Sequence, residues 1–359
     1  MAKVTVYEDQ MNPNDRLELE LPLTSKVDFE EIRKDLGVPE WVDAGYFHMK
    51  RALAILWASQ NVTRLNDALK NSNGRIQDKP INLVLFGGGA FKMHCPSSNI
   101  IGSPLNRSVN DVDLVMESKR SGDVKKLLLS LGTVMGTQYT HFMTSLDRRW
   151  TALRGGKRIL VRALDVAGPD ESPRITSMDI IADKLELCHT MDLREAVGKP
   201  KENLYTIGLV NLLLSKCQFI TMVQASELAK LKEARQDFRV LNHEALNEGR
   251  VAIGMESKDM KDVCALLLDH EFGDGSDELS LSGLRRILER DEKLALTVRL
   301  NLQNIRRNQT LIASWGLSED ALQSIGRKLE ALLSAMQEPK KKYSKPWWNT
   351  DVETPKIHL

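Results

Sequence analysis

Residues 81–89 read Ile-Asn-Leu-Val-Leu-Phe-Gly-Gly-Gly, a short apolar run that ends abruptly in three glycines. An apolar run of this length after Pro80 is typical of a buried β-strand, and consecutive glycines are typical of a tight turn. Because glycine has no side chain, the backbone N–H groups there can approach a phosphate closely. The stretch therefore predicts a strand followed by a phosphate-binding turn at Gly87, Gly88 and Gly89, with a plain tight turn as the alternative.

Two carboxylates lie in the next apolar stretch, at Asp111 and Asp113. Alternate residues of a strand point to the same face, so a strand over residues 109–116 would place both carboxylates on one side. Adjacent carboxylates repel unless a cation lies between them, and Mg²⁺ is a hard ion that takes oxygen ligands. The spacing thus predicts a Mg²⁺ site, and the alternative is a strand edge whose acids are merely hydrated.

A third acid, Asp179, lies within the apolar run 175–181, where a carboxylate is costly without a partner. Three acids on strands, together with a phosphate-binding turn, would suit a two-metal site for nucleotidyl transfer. Asp165 and Asp183 are rivals for the third position. They are weaker candidates, because Asp165 lies at a predicted strand end and Asp183 begins a helix-like run.

Lys216 lies on a predicted helix in apolar surroundings. The residues three and four positions away from it are Leu212, Leu213, Phe219 and Ile220. An ammonium there needs an anionic partner, which a nucleotide phosphate or the carboxylate cluster would supply. The alternative is a lysine that reaches solvent from a partly exposed helix. Asp262 is a further candidate, with a pair to Lys258 on a solvated face as its alternative.

The surrounding periodicity predicts an α/β (α+β) core with a mixed sheet, followed by an all-helical domain. Alternating leucines at 17–23 predict a strand that pairs with residues 4–7, and helical spacing follows from 29 to 69. Helices are also predicted over 207–223, 227–247, 259–270, 282–307 and 318–336, the last of them starting at Ser318. The predicted divisions are a hairpin and helical lead-in (1–80), the α/β domain (81–195), the helical domain (196–339) and a basic, aromatic tail (340–359).

The composition excludes several broad classes. The chain has 359 residues, of which 42% are hydrophobic, and its 50 basic and 49 acidic residues leave a net charge of +1. These values are ordinary for a globular protein and show no global attraction to nucleic acid or membranes. The longest apolar stretch, 207–223, is too polar to span a membrane, and residues 1–10 lack the apolar segment of a signal peptide. We therefore expect a cytoplasmic protein with no membrane partner.

The cysteines and two histidines beside them are predicted to pack in the core. Scattered cysteines without Cys-x-x-Cys spacing indicate neither a disulfide framework nor a zinc ribbon. His94 and His189 each neighbour a cysteine, but adjacent residues point apart and no second pair completes a metal site. The cysteines concerned are Cys95, Cys188, Cys217 and Cys264.

The basic tail has two interpretations. Lysines at 340–342, followed by Trp347 and Trp348, could hold RNA through phosphate contacts and stacking. As a terminal segment, the tail could instead be docked or disordered.

These motifs together resemble the DNA polymerase β-type nucleotidyltransferase superfamily, whose signature is an apolar strand, Gly-Gly or Gly-Ser, an Asp-x-Asp strand and a third Asp. Within it the chain is most similar to the AbiEii-type nucleotidyltransferases, toxins of abortive-infection and type IV toxin–antitoxin systems. Their Arg-x-Ser-x-Asp-x-Asp motif is matched by Arg107 and Asp111, with the serine displaced to Ser108. Their lysine helix is similar to residues 212–216, and their Arg-Asp-x-x-Asp helix to residues 258–263.

The resemblance implies a Mg²⁺-dependent enzyme that moves a nucleoside monophosphate from a nucleoside triphosphate to an acceptor hydroxyl. Two Mg²⁺ ions would be held by the three acids. The implied catalytic residues are Asp111, Asp113, Asp179, Lys216 and Asp262, and the implied nucleotide contacts are Gly87, Gly88, Gly89, Lys92, Arg107 and Ser108. The acceptor stays open between tRNA, a protein and a small molecule, and a protein antitoxin is an expected partner.

Two segments depart from this pattern. The stretch from Gly89 to Asp111 is long, which predicts an ordered loop over the site that contains Lys92, His94 and Cys95. An apparent insertion covers residues 224–255. The alternative function is a non-catalytic nucleotide- or RNA-binding protein that retains the nucleotidyltransferase fold.

Overall fold

The computed structural model describes most of the chain and divides it into two compact units. The described residues are 2–7, 16–21, 28–43, 47–68, 76–136, 139–165, 174–226, 230, 238–241, 249–337, 343 and 346–350. The first unit comprises Met1–Gly89, Ser108–Lys184 and Leu193–Ile207, and the second comprises Ala90–Arg107, Leu185–Asp192 and Gly208–Leu359. Each unit is assembled from separate segments, whereas the divisions predicted above are continuous in sequence.

The first unit begins with the hairpin and the helices that the sequence predicts. Strands β1 (Ala2–Tyr7) and β2 (Arg16–Leu21) pair antiparallel with Val4 opposite Leu19, which confirms the hairpin. Three helices follow: α1 (Phe29–Leu36), α2 (Phe47–Gln60) and α3 (Val62–Ala68). Residues 51–59 of α2 are buried on every side of the helix, where α2 packs against neighbouring elements.

A five-stranded mixed sheet forms the centre of the first unit. Its order is β3-β4-β7-β6-β5, in which β4 and β7 run parallel and the other neighbours antiparallel. The strands are β3 (Leu83–Phe86), β4 (Val112–Met116), β5 (His141–Phe142), β6 (Arg158–Asp165) and β7 (Arg174–Ala182). The mixed α/β class is therefore confirmed.

Helices α5 (Ser121–Met135), α6 (Ser145–Leu153) and α7 (Arg194–Gly198) belong to the first unit with this sheet. Helix α4 (Gly87–His94) begins in the first unit, and its residues from Ala90 onward belong to the second. Helix α2 packs on β3, β4 and α5, while α6 packs on β6. Helix α4 starts directly after β3, so the glycines at 87–89 open a helix and do not form the predicted tight turn. Lys92 and His94 are helical for the same reason, so the predicted loop begins later, at Cys95, and residues 95–111 contain no α-helix or strand.

The second unit combines helices with a small sheet. Its helices are α8 (Leu209–Cys217), α9 (Ser257–Asp269), α10 (Leu281–Leu288), α11 (Glu292–Arg307), α12 (Gln309–Ser314) and α13 (Glu319–Ala335). Ser318 caps α13 by accepting a hydrogen bond from the N–H of Ala321, as its sequence predicts. The C-terminal helical region is therefore confirmed.

The prediction that this region is all-helical is wrong. After the short hairpin of β8 (Lys184–Glu186) and β9 (Thr190–Asp192), three further strands form an antiparallel sheet of order β10-β12-β11. They are β10 (Thr221–Gln224), β11 (Phe238–Val240) and β12 (Arg250–Glu256). Short apolar runs do not distinguish a buried strand from a helix by periodicity. Most of the helix predicted over 227–247 lies outside the described residues.

The described part of the tail is docked in the second unit. Trp347 and Trp348 are buried in an apolar cluster with Cys188, Ile220 and Leu296. The indole Nε1 of Trp347 donates a hydrogen bond to Oγ1 of Thr297 at 2.9 Å. These rings are therefore not available for the stacking on RNA considered above, while the lysines at 340–342 lie outside the described residues.

Within the described ranges, each helix is too short or too polar to serve as a membrane span.

We expect Trp347→Ala to lower the free energy of unfolding by about 3–5 kcal/mol, because it removes a buried ring and its hydrogen bond. Trp41→Ala is the control, since that ring is 44% exposed and should cost much less. Denaturant unfolding of both variants measures the difference. Equal effects would contradict the docked tail.

Candidate functional site

Asp111 and Asp113, which the sequence predicts on one face of a strand, differ in secondary structure and in exposure. Strand β4 begins at Val112, so Asp111 precedes the strand and is exposed, while Asp113 lies within it and is half-buried. Strand β3 ends at Phe86, which pairs with Asp113. The residues before Val112 therefore have no partner in β3. The predicted strand over 109–116 is therefore too long, and the ladder does not hold Asp111 beside Asp113.

The structure instead brings together Asp113 and Asp179. They are directly paired in the parallel register of β4 and β7, so both side chains lie on the same face of the sheet. Cross-strand neighbours are about 4.8 Å apart along the hydrogen-bonding direction. Both residues are half-buried. The first candidate site is thus a pair of carboxylates on adjacent central strands.

Gly87 lies against Asp113. It has a φ of +63°, and a Cβ at this position would lie 2.3 Å from Oδ2 of Asp113. A side chain at position 87 would therefore collide with the carboxylate as well as strain the backbone. Since Gly87 is also the first residue of α4, the carboxylate of Asp113 lies beside a helix N-terminus, where unpaired N–H groups favour anions.

Arg158 is a site residue that the sequence analysis missed. Its Nε lies 2.9 and 2.8 Å from Oδ1 and Oδ2 of Asp179, and its NH2 also donates to Oδ2. The same guanidinium lies over the ring of Trp150, 5.1 Å from the centroid. The only sequence signal was a cation at the start of the apolar run of β6. Arg158 thus balances one of the two paired carboxylates.

The three predicted metal ligands do not converge as a preformed cluster. Among the described residues, the three-residue group whose ligand atoms all lie within 4.8 Å of one another is His94, His270 and Asp277, and not the three acids. The carboxylate oxygens of Asp113, which lies against Gly87, and of the adjacent Asp179 are the donor atoms that suit a hard cation.

A second set of predicted residues forms a compensated charge network in the second unit. Nζ of Lys216 lies 2.8 Å from Oδ1 of Asp259 and 3.1 Å from Oδ2 of Asp262. Nε of Arg107 donates to Oδ1 of Asp262 at 2.8 Å. Two cations and two anions therefore balance, and Asp259 is a partner that the sequence analysis did not single out. Lys258 pairs with Glu256 and not with Asp262.

The network sets the charge state of its buried members. Burial penalises the charged form of Lys216, but Asp259 and Asp262 outweigh it and hold the pKa of the ammonium above its usual value. Burial likewise opposes the charge of Asp262, yet Lys216 and Arg107 hold the pKa of its carboxyl below its usual value. Asp262 is only 3% exposed. The anionic partner required by Lys216 is therefore this pair of aspartates.

The other predicted nucleotide contacts are placed as follows. Lys92 is 1% exposed, and its Nζ donates to Oδ1 of Asn106 at 2.7 Å and to the carbonyl of Ser98. These oxygens compensate the buried ammonium of Lys92. Asp262 likewise compensates the guanidinium of Arg107. Ser108 is exposed and donates to Oδ1 of Asn110 at 3.0 Å.

The packing predictions for the cysteines and for His189 are confirmed. All four cysteines are buried and free, and burial raises the pKa of the Cys264 thiol to about 12. His189 is buried with Nε2 2.8 Å from Oγ1 of Thr297, and burial lowers its pKa to about 4. His94, however, belongs to the three-residue group with His270 and Asp277, so the packing interpretation is incomplete for it.

The predicted site residues belong to different units. The first unit contains Gly87, Gly88, Gly89, Ser108, Asp111, Asp113 and Asp179, and the second contains Lys92, Arg107, Lys216 and Asp262.

Comparison with protein-family models, with curated proteins and with solved structures finds no match to this chain.

We expect Gly87→Ala to lower the free energy of unfolding by more than the cost of left-handed backbone alone, which is about 1–2 kcal/mol. The new Cβ displaces the carboxylate of Asp113, so combining it with Asp113→Ala should recover part of the loss. Gly122→Ala, where a Cβ meets open space, is the control and should not destabilise. Additive effects of the two substitutions in denaturant unfolding would contradict the contact.

Removing one member of the charge network should be costly. Asp262→Asn leaves Arg107 and Lys216 less compensated, and we expect a loss of about 3–5 kcal/mol in the free energy of unfolding. Glu256→Gln, which breaks the more exposed pair with Lys258, should cost under about 1 kcal/mol. Denaturant unfolding at neutral pH measures both.

The charge of Asp262 predicts the direction in which the stability of the fold changes with pH. Because the folded pKa of Asp262 lies below the unfolded value of about 3.9, its stabilisation is present above about pH 4 and lost as the pH falls through the lowered pKa. Wild type should therefore lose more stability below pH 4 than Asp262→Asn does. Parallel pH profiles would contradict this assignment.

Proposed function

We propose that the chain is a Mg²⁺-dependent nucleotidyltransferase that moves a nucleoside monophosphate to an acceptor hydroxyl. The observation that carries the proposal is the pairing of Asp113 with Asp179 on adjacent strands, beside the glycine-led N-terminus of α4. Carboxylates for a metal and bare N–H groups for phosphates are the two requirements of this chemistry. All of these residues belong to the first unit.

The residues of the site divide the tasks of this proposal among them, and Asp179 has two tasks. The N–H groups at Gly87, Gly88 and Gly89 bind phosphate oxygens of the triphosphate, where a side chain would block their approach. Asp113 and Asp179 supply metal-binding oxygens, with Asp111 as the exposed third acid. When bound, Mg²⁺ would offset the charge that develops on the phosphates.

The reaction exchanges one phosphorus–oxygen bond for another. The acceptor oxygen bonds to the α-phosphorus, and the bond from that phosphorus to the bridging oxygen of pyrophosphate breaks. The hydroxyl proton passes to a carboxylate oxygen of Asp179, and pyrophosphate leaves with the bond's electron pair. Arg158 holds both oxygens of Asp179, and a carboxylate has lone pairs left for this proton or a metal.

A second candidate function is nucleotide or RNA binding without turnover. The observation that favours it is the guanidinium of Arg158 on Asp179, since a carboxylate already neutralised by arginine binds a metal less strongly. The two functions differ in whether pyrophosphate is released, so the same assay separates them. The acceptor class, the toxin activity and the antitoxin partner depend on the sequence resemblance alone.

We expect Asp113→Asn to abolish Mg²⁺-dependent incorporation of labelled nucleotide into an acceptor mixture containing tRNA, protein and small-molecule fractions. Glu117→Gln is the control, because Glu117 follows the other end of β4 and should keep activity. Melting curves establish that both variants fold. Undiminished transfer by folded Asp113→Asn would overturn the site, and nucleotide binding without pyrophosphate release by wild type would favour the second candidate.

A further inference from the structure

We propose that His94, His270 and Asp277 form a transition-metal site, best suited to Zn²⁺, that fastens the loop at 271–280 to the rest of the second unit. His94 is the last residue of α4, His270 directly follows α9, and Asp277 lies in the loop before α10. One ligand atom of each residue lies within 4.8 Å of those of the other two. The inference does not depend on the proposed function.

The environment of His270 is the strongest part of this argument. Its Nδ1 lies 3.0 Å from the carbonyl oxygen of Asp277 and 3.2 Å from Oδ1 of the same residue. Its Nε2 is buried and has no hydrogen-bond partner among the described residues. A metal-ligating histidine characteristically has one nitrogen held by a carbonyl or carboxylate while the other binds the ion. An unsatisfied buried nitrogen is otherwise costly.

The surrounding charges favour a cation. Asp277 belongs to the cluster, and Asp269 interacts electrostatically with His270. Nζ of Lys328 donates to the carbonyl of His270 at 2.7 Å, but its charge is balanced by the pair with Glu271. Asp269 accepts hydrogen bonds from the N–H and Oγ of Ser97, so it contributes charge to the site without serving as a ligand.

The donor set selects the class of metal. Two imidazoles and one carboxylate suit Zn²⁺ and similar transition metals, whereas Mg²⁺ and Ca²⁺ prefer oxygen ligands alone. Cys95 neighbours His94 in sequence but is not a member of the three-residue group. Three protein ligands leave a fourth position for water.

The two histidines and the aspartate differ in accessibility, which gives the ion a route in. His94 and His270 are 3% and 2% exposed, while the side chain of Asp277 is 78% exposed. Metal binding would therefore join an exposed loop to two buried helix ends. Such a link stabilises the folded state by mass action.

The test uses the full chain after treatment with a chelator, with Zn²⁺ alone as the probe. We expect equilibrium dialysis to give one Zn²⁺ per chain and thermal unfolding to move upward with Zn²⁺ concentration. Asp277→Asn should weaken Zn²⁺ binding at least tenfold, and it is the chosen variant because its side chain is exposed and its loss should not prevent folding. Glu278→Gln, the adjacent exposed acid outside the cluster, should bind like wild type.

A spectroscopic measurement separates a built site from surface binding. Co²⁺ in place of Zn²⁺ should give a visible absorption band typical of low coordination number, and this band should be lost in Asp277→Asn. Asp113→Asn should keep the band, which makes this test independent of the proposed catalytic site. Absence of stoichiometric Zn²⁺ binding by wild type, or equal affinities of Asp277→Asn and Glu278→Gln, would overturn the proposal and leave a simple histidine–aspartate contact.

Discussion

The carboxylate of Asp113 occupies the space that a Cβ at position 87 would fill, and this constraint connects the main features of the first unit. It requires glycine where β3 ends and α4 begins, and it brings a helix N-terminus against a central strand. The parallel pairing of β4 and β7 then sets Asp179 beside Asp113. One close contact thus determines which backbone groups and which carboxylates face each other.

The two units differ in how their charged side chains are paired. In the second unit, Lys216 and Arg107 are balanced by Asp259 and Asp262, and such compensated buried networks hold structure without leaving charge for a ligand. In the first unit, the guanidinium of Arg158 pairs with Asp179, and both side chains are half-buried. The proposed function accordingly relies on residues of the first unit and assigns no ligand to the lysine and aspartate helices.

Local patterns predicted the elements whose structure depends on near neighbours. The alternating leucines of β2, the N-cap Ser318 and the run that becomes β3 all form as their sequences indicate. The same reasoning was wrong for β10 and β12, because a strand of four to seven residues is too short to carry a distinctive period. Their sheet is formed by pairing partners that local periodicity does not identify.

The sequence by itself determined which chemical groups are available: glycines after a strand, acids in apolar runs and a lysine among leucines. Only the tertiary structure decided their partners. Arg158 is 21 residues from Asp179, and Arg107 is 155 residues from Asp262. His94 likewise meets His270 and Asp277 across the chain. Side-chain pairing at such separations depends on how strands and helices pack, and no local preference of a residue encodes it.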